Sequence, residues 1–315
     1  MEAEINRLLC YKPPMPLNAL YGQPPLGLCH PSVGAEQFSP LMPGSRSLED
    51  LSEKIDSMTM LAPPGTMERR YVMAKTIQAL AENAPFTVLA PKDKGGSRIA
   101  KELKEFGCEI EEDARSHHRI CTLRRPENPV GLEAAIAEGA PRYSEELGMH
   151  TQPGVFSWNR FDLGSQLLLE KMPPMVGKGA DLGCGIGFLS REILKSPKVR
   201  ELHLLEIDGR SILAVKKNIL DPRAKFYWAD LRTSNLIPSG LDFVVTNPPF
   251  HDGGVEDQSL GRDFLRQAAY LLRSGGICWI VANRHLPYES ILKEVFSQVN
   301  QKAEANGFKI FEAIR

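Results

Sequence analysis

The chain reads as an α/β protein in two parts, with a mostly parallel sheet in the second. Three observations predict this. Short apolar runs alternate with segments of helical period along much of the 315 residues. A glycine-rich turn, Asp181-Leu182-Gly183-Cys184-Gly185-Ile186-Gly187, joins a strand-like run to a helix start. Acidic residues recur where successive strands end, at Asp181, Glu206 and Asp230. Open α/β sheets bind ligands at the carboxyl ends of their strands.

Residues 1–45 are rich in proline and glycine and predict an irregular arm with one or two short strands. Ser57 to Leu61 reads as a strand. Thr66 opens a helix with Glu68 in its first turn and an apolar stripe at Tyr71, Ala74, Ile77 and Leu80. Phe86 to Ala90 is a second strand, and a helix runs from about Ser97 to Phe106. Cys108 to Ile110 and Ile120 to Leu123 read as short strands. Gly131 to Gly148 reads as a helix and linker. We therefore expect an accessory N-terminal α/β domain over residues 1–148 and a second domain over 149–315.

In the second domain, strand and helix alternate from Gly164 onward. Glu201 to Glu206, Ala224 to Ala229 and Leu241 to Thr246 read as strands. A helix is expected from about Glu256 to Leu272, stopped by Ser274-Gly275-Gly276, with a fifth strand at Ile277 to Ala282. Asn306-Gly307 between two strand-like segments is a hairpin signal.

Three sites carry chemistry. The Gly-rich turn offers close backbone approach and free helix N–H groups at Gly183, Gly185 and Gly187. An acid precedes its first glycine, and the third-glycine spacing of dinucleotide folds is missing. Asp181 suits a cationic ligand, and S-adenosylmethionine carries an ammonium and a sulfonium. Glu206 suits ribose hydroxyls; Asp208, two residues on, competes for that role. Asp230 suits an adenine amino group. Finally, Asn247-Pro248-Pro249-Phe250 follows the strand ending at Thr246. The Asn247 amide oxygen and the Pro248 carbonyl can accept both N–H bonds of a planar amine, while Phe250 stacks on its ring. Read alone, the same residues also fit a proline turn closing a strand.

This constellation resembles the class I S-adenosylmethionine-dependent methyltransferases. Further motifs narrow the resemblance. They are Gln152-Pro153-Gly154-Val155-Phe156-Ser157, Asp162-Leu163-Gly164-Ser165, Leu167-Leu168-Leu169, Thr246 to Gly253, and Val281 to Tyr288. Together they resemble the ribosomal RNA guanine-N2 methyltransferases of the RsmC/RlmG type, over about residues 152–315. The resemblance implies a Rossmann-like catalytic domain with a seven-stranded mixed sheet. It also implies that the first half is a smaller, degenerate, cofactor-free copy of that fold. Catalysis then falls to Asn247, Pro248 and Phe250. The cofactor S-adenosyl-L-methionine falls to Asp181, Gly183, Gly185, Gly187, Glu206 and Asp230. Ribosomal RNA, most readily the 16S species, or a ribosomal subunit is the expected partner. Glutamine-N5 methylation of release factors, adenine-N6 methylation of nucleic acid, and an inactive RNA-binding assembly factor are the competing functions. The first half reads as βα rather than helical, and no separate target-recognition domain follows the motifs. Intact Asp181, Glu206, Asp230 and Asn247 speak for an active enzyme.

The formal net charge is −1, which argues against a general nucleic-acid coat but leaves room for a local patch. Arg69 to Arg125 carries roughly +4 and includes Lys92, Lys94, Arg98, Lys101, Lys104 and the cluster Arg115 to Arg119. Lys92 and Arg98, next to the glycines of Pro91 to Gly96, are candidate RNA contacts; solvated helix faces would read the same way. Phe156 is a candidate second wall of the base pocket or a core residue. The six cysteines form no Cys-x-x-Cys pair, so no metal is expected. No apolar run is long enough to span a membrane, and the first residues do not resemble a signal peptide. A reducing, cytoplasmic setting is expected.

Overall fold

Two sheets organise the chain. The computed structural model describes residues 16–249, 251–252, 255–256 and 258–315. The chain divides into two compact units. One holds the segment up to Ser39 with Arg46–Ala62 and Val72–Glu133. The other holds Pro40–Ser45, Pro63–Tyr71 and Ala134–Arg315.

The first unit is built on six strands: β1 (Asn18–Tyr21), β2 (Glu36–Gln37), β3 (Ser57–Leu61), β4 (Pro85–Pro91), β5 (Ile110–Arg115) and β6 (His118–Arg124). Their order is β2-β1-β3-β4-β6-β5, parallel through β4 and antiparallel beyond it. Helix α1 (Thr66–Ala79) follows β3, and α2 (Ser97–Glu105) follows β4. Met58, Met60, Phe86, Val88, Ile99, Leu103 and Phe106 are buried in this unit. Strand β5 lies further along than its apolar residues suggested. Glu111, Glu112 and Asp113 form an exposed edge strand, so no apolar alternation marks it. The basic cluster from Arg115 is the tip of this hairpin, with Ser116 (φ 46°) and His117 (φ 60°) in the turn.

The second unit opens with α3 (Leu132–Gly139) and a small hairpin, β7 (Arg142–Ser144) with β8 (Met149–Thr151). Three-residue strands are too short to show a period, and the sequence suggested only a linker here. Then follow α4 (Leu163–Lys171), β9 (Gly177–Leu182), α5 (Phe188–Ile193), β10 (Val199–Glu206), α6 (Gly209–Asn218), β11 (Ala224–Trp228) and β12 (Leu241–Thr246). A two-residue pair, β13 (His251–Asp252) with β14 (Val255–Glu256), precedes α7 (Gln258–Leu271). The chain ends with β15 (Leu272–Asn283), α8 (Tyr288–Val295), β16 (Gln298–Ala305) and β17 (Phe308–Ile314). Strand β15 starts before Ile277 because a register shift against β12 absorbs the glycines of Ser274 to Gly276.

These strands form one seven-stranded sheet, β11-β10-β9-β12-β15-β17-β16. Only β17 runs opposite to the other six strands. The β16–β17 hairpin turns at Asn306 (φ 52°) and Gly307 (φ 82°), as a two-residue turn with both φ positive requires. Apolar clusters pack against the sheet, one around Val244, Leu265 and Ile280, the other around Leu168, Leu202 and Val245. In both units the last strand inserts between its hairpin partner and an earlier strand, as β4-β6-β5 and as β15-β17-β16. Strand order reverses at β9, with β10 on one side and β12 on the other. That is where an open sheet leaves a ligand crevice.

Candidate active site

Register brings the predicted residues together. Leu182 pairs with Leu205 on one side and with Thr246 on the other. The buried Thr246 hydroxyl donates to the Leu182 carbonyl at 2.8 Å. The Gly-rich turn, Glu206 and Asn247 therefore leave the sheet side by side. Gly183 has φ 74° and Gly185 φ 53°, and a Cβ at Gly185 would meet nothing within 4 Å. At Gly187 (φ 93°) a Cβ would come within 2.5 Å of Val215 on α6. Gly185 thus leaves open space, whereas Gly187 allows close helix packing.

Asp181 is fully buried. Its Oδ2 accepts the Ser190 hydroxyl at 2.6 Å, while Oδ1 has no hydrogen-bond partner among the described residues. Burial, with the nearby Glu206 charge adding to it, pushes the carboxyl from the ordinary 3.8 up to about 7. Glu206 keeps part of its surface open, and desolvation raises its pKa too. Its Oε2 accepts the Gly185 N–H at 2.9 Å; Oε1 accepts the N–H groups of Ile207 at 2.8 Å and Asp208 at 3.1 Å. Three of the four acceptor positions are thus taken, and Oε2 retains one for a hydroxyl.

Asp208 has other duties. It caps α6 through the Arg210 N–H and grips the Arg210 guanidinium at 2.7 Å. Arg210 also meets Glu68 at 2.6 Å, and Gly154 presses so close to this pair that a Cβ there would sit 2.8 Å from Arg210 Nη1. Burial raises the Glu68 pKa, and Arg210 opposes the shift. Asp230 is gripped by Arg232 at 2.7 Å, which holds its carboxyl below the usual range.

Asn247 stands one residue beyond β12. Its Nδ2 donates to Asp162 Oδ2 at 2.9 Å and to Ser165 Oγ at 3.0 Å. Both bonds lie on the nitrogen side, so the oxygen is the face left for a substrate donor. Pro248 is buried, and Phe250 lies outside the described residues. Phe156 is 57% exposed, in a loop bent by Gly154 (φ 103°) and Ser157 (φ 53°), so its ring is not core.

Lys92 and Arg98 are exposed in the first unit, on either side of a turn in which Gly95 has φ 92°. Much of the remaining basic segment is committed elsewhere. Arg69 is fully buried and donates to the Pro63 and Pro64 carbonyls. Lys104 and Arg119 pair with Glu112, and Arg115 with Asp113. Among the described residues no group of His, Cys, Asp or Glu could hold a metal, and no helix is long and apolar enough to cross a membrane.

Sequence reasoning assigned no role to the Asp162–Ser165 grip on Asn247 or to the Glu68–Arg210–Asp208 chain. Asp162 precedes a helix whose third residue is Ser165, an N-cap pattern that signals the cap but not the bond to Asn247. Nothing local marks the second.

Comparisons with known proteins concern the family and the fold. The family described as "Methyltransferase small domain" matches residues 146–312. A protein of Shewanella loihica named ribosomal RNA small subunit methyltransferase C is 36% identical over 270 residues, which cover 82% of this chain and 77% of that protein. Its namesake from Shewanella piezotolerans is 35% identical over 272 residues, covering 84% and 78%. The structure of the T. thermophilus 16S rRNA N2 methyltransferase (RsmC), in complex with AdoMet and guanosine, superposes with a TM-score of 0.73. It covers 98% of this chain and 91% of that one at 24% identity, a likeness of fold.

Proposed function

The chain belongs to the methyltransferase small domain family, among the proteins named ribosomal RNA small subunit methyltransferase C, and from this we propose that it methylates the exocyclic N2 amine of a guanine in 16S ribosomal RNA. The observation that carries the reading is the Asn247 amide. Its nitrogen is held by two acceptors and its oxygen is left to accept from an incoming amine. The rim of the Gly-rich turn is adjacent: a Cβ on Gly183 would lie 4.0 Å from the Asn247 carbonyl.

The site fits S-adenosylmethionine. Asp181 has a buried oxygen without a partner, which suits a cationic ligand, and Gly185 leaves the room a side chain would fill. Glu206 would hold ribose hydroxyls, Gly183 and Gly187 would shape the turn, and Asp230 would face the adenine amine from its Arg232 pair. When bound, this cofactor supplies an electrophilic methyl group on a sulfonium. The chain's own task is to prepare the nucleophile. The lone pair of a guanine amine is delocalised into its ring. Accepting its two N–H bonds at Asn247 Oδ1 and the Pro248 carbonyl favours a pyramidal nitrogen with its lone pair directed outward. Catalysis is then mostly orientation and electrostatic fit, and no strong base is needed. Phe250 and Phe156 would stack on a base taken out of its helix.

The first unit, the body of the domain expected over residues 1–148, acts as an accessory, cofactor-free module that positions RNA, with Lys92 and Arg98 meeting phosphates. Their exposure supports this, as does the strand order β4-β6-β5, which matches the edge of the second sheet. The first half lacks an Asp-x-Gly-x-Gly turn and an Asn-Pro-Pro turn. The protein works in the cytoplasm, on ribosomal RNA or a ribosomal subunit.

The test is methyl transfer by the purified protein from labelled cofactor to 16S rRNA and to small subunits, followed by nucleoside mass spectrometry. N2-methylguanosine is the expected product. N6-methyladenosine, or label on a release-factor glutamine instead, would replace this reading.

A further inference from the structure

We infer that Asp162, seconded by Ser165, is a positioning residue that fixes which end of the Asn247 amide meets the substrate. The inference rests on the methyl-transfer reading of the Asn247 site and adds to it a device for orientation.

An asparagine amide is nearly symmetric in shape and opposite in chemistry at its two ends. Turned one way, it offers an acceptor to the target amine. Turned the other way, it offers two N–H groups, which oppose the amine's own. Rotation about χ2 is broad and two-fold for asparagine, so the side chain does not choose by itself. Here the choice is made by α4. Asp162 Oδ2 accepts from Asn247 Nδ2 at 2.9 Å, and Ser165 Oγ lies 3.0 Å from the same nitrogen. An ionised carboxylate only accepts. The flipped amide would set oxygen against oxygen at Asp162 and leave a polar group unpaired, which a half-enclosed site resists.

The same carboxylate oxygen caps the helix by accepting the Ser165 N–H at 2.7 Å. Asp162 is thus itself held, with extended backbone (φ −71°, ψ 126°) ahead of the first turn. Gly164 completes the arrangement. A Cβ there would lie 2.8 Å from the Phe308 ring and 3.1 Å from Asp162 Oδ2. Glycine lets α4 sit close to β17 with the Asp162 carboxylate undisturbed. This accounts for Asp162-Leu163-Gly164-Ser165 as a unit: cap and amide holder, close packing, second acceptor.

Three variants separate positioning from structure. Asp162→Ser keeps an N-cap oxygen but is too short to reach Asn247. Combined with Ser165→Ala, it removes both acceptors while α4 stays capped. Asp162→Asn is the rescue: the helix N–H draws its carbonyl oxygen into the Oδ2 position, where it can accept from both partners. We expect the double variant to lose at least tenfold in kcat. RNA KM, cofactor affinity and Tm should stay near wild type, and Asp162→Asn should recover most of kcat. Side-chain NMR of the free protein gives an arm independent of the reaction. The Asn247 Nδ2 protons, assigned by their loss in Asn247→Ala, should be protected from exchange in wild type and in Asp162→Asn, and unprotected in the double variant. Unchanged protection in the double variant overturns the inference, whatever the protein methylates. So does a double-variant kcat within twofold of an active wild type. A wild type that leaves guanine N2 unmodified while the NMR pattern holds overturns the functional reading and leaves the orientation of Asn247 standing.

Discussion

Asp181 is buried with one oxygen satisfied and one not, and this sets its behaviour with pH. Its folded pKa, about 7, lies above the ordinary 3.8. A raised carboxyl pKa means that the folded state holds the proton more tightly. Its stabilising contribution is full below about pH 4 and is lost as pH rises to about 7, on the order of 4 kcal/mol over that window. Asp181→Asn should remove this slope from the cofactor-free protein, so that the stability difference, variant minus wild type, grows from pH 4 to pH 7. Chemical denaturation across that range checks it; a flat difference would refute it. A cationic ligand favours the ionised form, so cofactor affinity in wild type should rise as pH passes through about 7. Glu206→Ala should weaken cofactor binding by about 1.5–3 kcal/mol, the worth of hydrogen bonds to a charged group. Calorimetry would show this, and unchanged affinity would remove Glu206 from the site. Asn247 could be read from its four-residue turn, because an amide next to prolines at a strand end is a local pattern. The Asp162 hold on it could not, since that bond joins residues 85 apart in sequence.

At the scale of elements, legibility followed period and punctuation. Strands β3, β4, β10 and β12 were visible as apolar runs, and the last hairpin as Asn306-Gly307. The β7–β8 hairpin and β5 were not, one being too short for a period and the other polar along its exposed edge. The start of β15 was misplaced because Gly275 and Gly276 resemble a stop and instead sit in a bulge. The α5 start depends on Gly187, whose φ of 93° and close approach to Val215 leave no place for a Cβ. Gly187→Ala should destabilise the second unit by about 1–3 kcal/mol, from strain at a positive φ and overpacking against α6. Thermal or urea unfolding would measure this, and a change under about 0.5 kcal/mol, as surface substitutions give, would show that the turn relaxes.

At the scale of the whole molecule, one unit carries the Gly-rich turn and Asn247, and the other carries neither. One cofactor should bind per chain. The charge run that looked continuous from Arg69 to Arg125 is divided by the fold, for Arg69 is buried and several other cations are ion-paired. A sequence shows charges but not their partners, so the proposed role narrows to cations left exposed, Lys92 and Arg98 among them. Lys92→Glu with Arg98→Glu should raise the RNA KM and flatten the salt dependence of RNA binding, leaving cofactor affinity unchanged. An unaltered salt slope would return both residues to ordinary solvation.

The proposed activity is guanine-N2 methylation of 16S rRNA at the Asn247 site. It is tested most directly by measuring N2-methylguanosine in 16S rRNA from cells lacking this protein, complemented with wild type or with Asn247→Ala. One N2-methylguanosine should disappear in the deletion and return with wild type. It should not return with Asn247→Ala, whose turnover should fall about 10²–10³-fold, the cost of removing a comparable transition-state hydrogen bond. Undiminished N2-methylguanosine in the deletion strain, or full restoration by Asn247→Ala, would contradict it.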